Sequence, residues 1–128
     1  MLVSIDWLKV HQSDTNIVLL DTRPKTMFLY GHVSKSQSLT IEQVIQFDQY
    51  GANLVLDEKK IAELFSSLGI DNSKTVVLIG DSMDPSSARI AWTFLYFGHE
   101  KICLLDATVV DLQRNGFELT KKLFISEP

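Results

Sequence analysis

Cysteine is nearly missing from this chain: a single thiol, Cys103, stands in 128 residues. One cysteine forms no internal disulfide, so packing must hold the fold, and a reducing cytoplasm is the compartment that suits it. With three prolines and six glycines, the chain has no internal repeat and no low-complexity segment. No apolar stretch approaches the ~20 residues that cross a bilayer. The start, MLVSIDWLKVHQ, lacks the charged head and long apolar centre of a signal peptide. Positive charge is short as well. Twelve Lys and Arg stand against 16 Asp and Glu, for a net charge of −4, and the longest basic runs are Lys59-Lys60 and Lys121-Lys122. A nucleic-acid footprint needs a basic stripe, so neither nucleic acid nor membrane is an expected partner. His11, His32 and His99 lie far apart with no i, i+4 pair, which gives no metal site. Gly-x-Gly-x-x-Gly is absent, so no dinucleotide cofactor is implied, and no other cofactor is called for.

What is present is the composition of an ordinary globular domain, 45% hydrophobic and 22% charged. Its length suits one domain and is short for two. Three compact apolar runs, NIVLLDT (Asn16 to Thr22), KTVVLIG (Lys74 to Gly80) and KICLLD (Lys101 to Asp106), read as buried strands of a parallel sheet. Helical patterns alternate with them. Ser4 caps a first short helix, and PKTMFLYGHV gives a loop or brief helix. Ser36 to Thr40 reads as a short strand, and IEQVIQFDQYG as a helical segment closed by Gly51. DEKKIAELFSSLGI is the clearest helix: Asp57 caps it, Ile61, Leu64, Phe65 and Leu68 share one face, and Gly69 ends it. Another helix begins at Pro85 with Asp84 as cap, and a last one lies around ATVVDLQRNG before an extended tail. Alternating strands and helices imply a mostly parallel sheet with helices on both faces. Ligands bind such sheets at the carboxyl ends of the strands, which directs attention to Asp21 to Arg23, Gly80 to Ser87 and Asp106.

Several segments, in this order, resemble a rhodanese domain. LLDTR is similar to the family's strand ending in Asp-x-Arg, and YGHV to its Gly-His turn. TVVLIGD…SSARIAWTFLYFGHEKICLLD is similar to its strand, active loop, helix and following strand. The pattern ARxxWxxxxFGH followed by LLD most resembles the first domain of tandem thiosulfate sulfurtransferases. The resemblance implies a three-layer α/β sandwich over residues 1–120, with 121–128 as a tail linking to a further domain. In active members a cysteine after the strand carries persulfide sulfur, as a thiolate held by loop N–H groups and the positive end of a helix. Here that position falls at Gly80 or Asp81, and neither carries sulfur. The loop Gly80, Asp81, Ser82, Met83, Asp84, Ser86 and Ser87 is therefore the inactive counterpart of an active loop. Asp81 and Asp84 place negative charge where an anion would have to be attracted. LLDAT also departs from the two glycines usual after that aspartate.

The remaining residues have structural and functional readings side by side. Cys103 lies inside an apolar strand and reads as a small buried hydrophobe. His32 and His99 follow glycines and read as hydrogen-bonding turn residues. Asp21 and Arg23 either hold each other or touch a ligand. Arg89 either binds an anion or pairs with Asp81, Asp84 or Asp106. IGDSMD also resembles the magnesium-binding Gly-Asp-Ser-x-x-Asp motif of haloacid-dehalogenase-type phosphatases, but Arg23 stands where their second aspartate belongs, and a cation there repels magnesium. The helix from Pro85 has two apolar stripes, Ala88, Ala91, Trp92 and Leu95 and, beside it, Ile90, Phe94 and Phe97, so it wants cover on both sides. The expectation is a non-catalytic first domain of a thiosulfate sulfurtransferase, its partner a second rhodanese domain of the same polypeptide. The alternative is a stand-alone interaction module. Self-association through the exposed rim is expected of the separated domain.

Overall fold

Runs of branched apolar residues bounded by polar ones make short strands with two buried faces, and the centre of this molecule is built from them. The computed structural model describes residues 2–47, 53–55, 58–80 and 85–122. In chain order the strands are β1 (Leu2–Val3), β2 (Ile17–Asp21), β3 (His32–Val33), β4 (Gln37–Ser38), β5 (Ile45–Phe47), β6 (Asn53–Val55), β7 (Thr75–Ile79), β8 (Ile102–Leu105) and β9 (Leu119–Thr120). The helices are α1 (Ile5–His11), α2 (Lys25–Tyr30), α3 (Glu58–Ser67), α4 (Ser86–Tyr96) and α5 (Val109–Arg114). Five strands form one parallel sheet in the order β1-β8-β7-β2-β4.

Alternation along these strands sends side chains to opposite faces. Val18, Leu20, Val76 and Leu78 pack with Ile61 of α3 and Ile90 and Phe94 of α4. Leu19, Val77, Ile79 and Cys103 pack with Leu8 of α1 and Val109 and Leu112 of α5. The result is the expected α/β sandwich of helix layer, parallel sheet and helix layer. Ser4 caps α1 by accepting from the Trp7 amide at 3.1 Å, and Gly69 takes a φ of +76° where α3 ends.

Several expectations change. Residues 41–47 do not form the expected helix: a short 3-10 turn, Ile41–Gln43, is followed by β5, which pairs antiparallel with β6, and the expected helix end at Gly51 lies outside the described residues. The reason is non-local. Branched and aromatic residues in IQF suit a pleated strand once Asn53–Val55 supplies hydrogen-bond partners, and periodicity carries no record of that partner. α4 begins at Ser86, with Pro85 just outside it at φ −73°, one residue later than expected. The start of the chain contributes a strand, β1, that its two residues did not announce. Leu119–Thr120 of the extended tail forms β9 against β3. The expected caps Asp57 and Asp84 lie outside the described residues.

The two stripes of α4 separate in part, since Ala91 of the first packs on the same core as the second. Ile90 and Phe94 are fully buried, with Phe94 stacked on Phe65 at 4.3 Å, whereas Trp92, Leu95 and Tyr96 are exposed. Replacing Phe94 by Ala should cost about 3–5 kcal/mol of unfolding free energy. Replacing Trp92 by Ala should cost at most about 1 kcal/mol. Urea denaturation midpoints of the two variants check the contrast.

Candidate functional site

The sheet presents the carboxyl ends of β2, β7 and β8 along one rim, and the candidate residues gather there. Asp21 ends β2 and is buried with Arg23. The Arg23 amide donates to Asp21 Oδ1 at 2.9 Å, its Nε donates to both carboxylate oxygens at 3.0 Å, and Nη2 donates to Oδ2 at 2.7 Å. Nη2 also donates to the Gly31 carbonyl at 2.7 Å. Every strong donor direction used by the guanidinium here points into the protein. The pair holds itself and the turn after α2, and no hydrogen-bonding edge of the carboxylate is left for a ligand.

Next along the rim, Thr22 bridges β2 to β7. Its amide and its hydroxyl both donate to the Ile79 carbonyl, at 2.8 and 3.2 Å. The Thr22 and Ser87 hydroxyls then meet at 2.6 Å, directly across Gly80. A Cβ built on Gly80 would collide with Ser87 Oγ and stand 2.9 Å from Thr22 Oγ1. Glycine is required here because two hydroxyls occupy the space of a side chain. A cysteine at this position has no room unless that pair opens.

The other candidates fall at varied distances from this closure. Ser86 opens α4 and is half-buried. Arg89 is exposed and lies over the Trp92 ring at 5.2 Å, without an ion pair to Asp106 among the described residues. Asp106 is exposed after β8, and its amide donates to Val3 at 2.8 Å. Asp81, Ser82, Met83 and Asp84 lie outside the described residues.

Cys103 is away from the loop. It pairs in register with Val77 inside the sheet and faces the α1–α5 core, with 2% of its surface exposed. Burial pushes its thiol up from the ordinary value, which disfavours the thiolate that sulfur chemistry requires. The histidines are structural and dispersed. His32 is stacked on Phe28 at 3.8 Å, with its ring nitrogens 2.8 and 2.9 Å from the carbonyls of Phe28 and Lys122. His99 Nε2 donates to the Lys74 carbonyl at 2.9 Å, and His11 pairs with Asp14 at 2.9 Å. The sequence reading placed Thr22 only inside the stretch Asp21 to Arg23 and gave it no role. It sits inside LLDTR, but its partner Ser87 is 65 positions away, and no local pattern carries that contact.

A parallel α/β sandwich with helices on both faces, and Gly80 closed in by two hydroxyls at a strand end, is the class that fold and site define. The chain belongs to the rhodanese-like domain family, whose model matches residues 4–114. It is 32% identical over 125 residues to the sulfur carrier protein TtuD of Thermus thermophilus, covering 96% of this chain and 43% of that protein. It is 25% identical over 126 residues to thiosulfate/3-mercaptopyruvate sulfurtransferase 1, mitochondrial, of Arabidopsis thaliana, covering 91% of this chain and 33% of that one. Among solved structures, the 3-mercaptopyruvate sulfotransferase SseA of Escherichia coli superposes with a TM-score of 0.84 at 22% identity, over 97% of this chain and 52% of that one. The 3-mercaptopyruvate sulfurtransferase of Leishmania major gives 0.86 at 11% identity, over 100% and 38%. The chain thus spans less than half the length of the curated relatives it matches.

Two outcomes follow from this packing. Gly80→Ala should cost about 1–3 kcal/mol by overpacking. Adding Ser87→Ala should recover part of that loss, so a double-mutant cycle on unfolding midpoints should show coupling rather than additivity. The buried thiol gives a pH signature as well. The unfolded chain releases the Cys103 proton near 9.0 and the folded chain only above it, so stability falls as pH rises past that value. Cys103→Ser should remove this part of the alkaline slope, read from midpoints between neutral pH and about pH 10.

Proposed function

We propose that this chain is the first, non-catalytic rhodanese domain of a two-domain thiosulfate sulfurtransferase. Residues 1–120 form the domain, and 121–128 run toward a second rhodanese domain of the same polypeptide. In this reading the second domain holds the cysteine that takes sulfur from thiosulfate to an acceptor such as cyanide or a thiol. The present domain supplies one wall of the cleft between them, in the cytoplasm. The observation that carries the reading is the closure of Gly80 by the Thr22–Ser87 hydroxyl pair. Packing of this kind leaves no room for a nucleophilic side chain at Gly80, one of the two positions, with Asp81, where the resemblance puts the cysteine of active members. The coverage of relatives supports it, since each is more than twice the length matched here. Exposed apolar groups support it too: Trp92, Leu95 and Tyr96 on α4, with Met27, Leu29 and Tyr30 on α2, are of the kind a neighbouring domain covers. A magnesium-dependent phosphatase is disfavoured by the rim, because Asp21 spends its carboxylate on Arg23.

The 128-residue chain should show no thiosulfate:cyanide sulfurtransfer above buffer, and Cys103→Ser should leave that result unchanged. Transfer by the chain that disappears in Cys103→Ser would overturn the reading by making Cys103 the sulfur carrier. The reading frame past Pro128 decides the architecture. A following domain with a cysteine in its loop supports two domains, whereas a stop codon there makes the chain a stand-alone module.

A further inference from the structure

A second concavity lies at the opposite end of the sheet, where β2 and β7 begin. It is a cleft of about 680 Å³, bordered by Ile17 to Leu19 of β2, by Lys35 and Gln37, and by the segment around Leu68 to Asp71. That size is typical of small-molecule sites. Its floor is apolar, formed by the buried Val18, Leu68 and Ile70.

The sheet edge above this floor is incomplete. Parity along β2 turns the backbone of Val18 and Leu20 toward β7, and that of Ile17, Leu19 and Asp21 toward the β4 side. The Leu39 amide donates to the Asp21 carbonyl at 3.0 Å, which fixes that parity. β4, however, is only two residues long and pairs with Leu20 and Asp21 alone. The Leu19 N–H and the Ile17 carbonyl consequently have no backbone partner among the described residues. They face the place residue 35 would take if β4 ran two residues further back. The chain turns away there instead, in a tight turn closed by the Ser36 amide donating to the Val33 carbonyl at 3.0 Å.

Lys35 sits in that turn with φ +72°, the only non-glycine residue with positive φ among those described. Glycine or asparagine is the residue such a turn favours, so the lysine is held in its place against backbone preference. The other charged groups of the cleft are already engaged. Asp14 pairs with His11 at 2.9 Å, Asp71 accepts from the Ser73 amide at 2.8 Å, and Lys74 Nζ donates to the Thr15 carbonyl at 3.1 Å. Lys35 is the cation left without a partner among the described residues.

We propose that this cleft binds a carboxylate carrying an adjoining secondary amide, the chemistry of the carboxyl end of a short peptide. The ligand amide N–H donates to the Ile17 carbonyl. The carboxylate accepts from the Leu19 N–H and the Lys35 ammonium, and an apolar side chain rests on Val18, Leu68 and Ile70. The ligand must end at its carboxylate because Gln37 of β4 occupies the next place along the edge. An amino terminus in that place would meet the Lys35 charge with like sign.

Two-dimensional amide NMR of the full chain tests this, with N-acetylleucine as probe up to about 10 mM, tenfold beyond a dissociation constant of about 1 mM. The expected result is saturable movement of the Leu19 and Gln37 amides. N-acetylleucinamide, which lacks the carboxylate, and 4-methylpentanoate, which lacks the amide, should each bind about tenfold or more weakly. Lys35→Gly should weaken N-acetylleucine to the same degree while leaving the rest of the spectrum folded, since glycine accepts the positive φ. Lys35→Arg should retain binding. No saturable movement, equal binding by Lys35→Gly, or movement confined to Thr22, Ser87 and Arg89 at the other rim would each overturn the proposal.

Discussion

The buried pair of Asp21 and Arg23 is the interaction from which the rest of the candidate rim is hung. Moving two charges out of water is costly, and the pair persists because the carboxylate receives four N–H contacts from one residue. Its reach extends beyond the two side chains. The Asp21 backbone carbonyl accepts from Leu39, which secures the end of β4. The guanidinium takes the Gly31 carbonyl, which sets the turn leading into β3. β3 in turn pairs with β9, and His32 reaches the Lys122 carbonyl, so the last described residues are tied to the same point. Breaking either partner would leave an unpaired buried charge and loosen all three connections together.

Closure at Gly80 follows from this anchoring. Thr22 lies between Asp21 and Arg23, and its backbone has no freedom while they are clamped. Its hydroxyl is thereby held against the Ile79 carbonyl and presented to Ser87. A rhodanese-type nucleophile needs space at the strand end and a thiolate stabilised by donors. Here the space is taken by two hydroxyls, and the only thiol in the chain is inside the sheet, where burial favours its neutral form. The filled space beside Gly80 and the burial of Cys103 are separate features, set at two different residues of the sheet.

The layered α/β architecture was legible because local patterns and tertiary environment agree in this chain. Apolar runs such as VLL and VVLI say that both faces of a strand are buried, and the one-sided pattern of Ile61, Leu64, Phe65 and Leu68 says that a helix faces the sheet. Where the determinants are non-local, the pattern failed. Ile45 to Phe47 needed Asn53 to Val55 to become a strand, and Leu2 and Val3 needed the free edge of β8. At the site, the glycine at position 80 could be read from the sequence. The reason that position must be glycine could not, since it depends on hydroxyls contributed by two distant elements.

The two ends of the sheet have opposite relationships to solvent, and the lengths of the strands explain why. At the carboxyl ends, β2 and β7 run to the same level, Asp21 opposite Ile79, so bridging groups such as Thr22 can seal the gap between them. At the amino ends, β2 has no companion on its outer side among the described residues, because β4 begins only at the level of Leu20. A parallel strand joined through a short connection must enter the sheet where its linker allows. The Val33–Ser36 turn brings β4 in late, and the edge of β2 stays open beneath it. Among the described residues the carboxyl ends of β2 and β7 are thus bridged, while the open backbone groups, the apolar floor and the unengaged lysine lie at the far end.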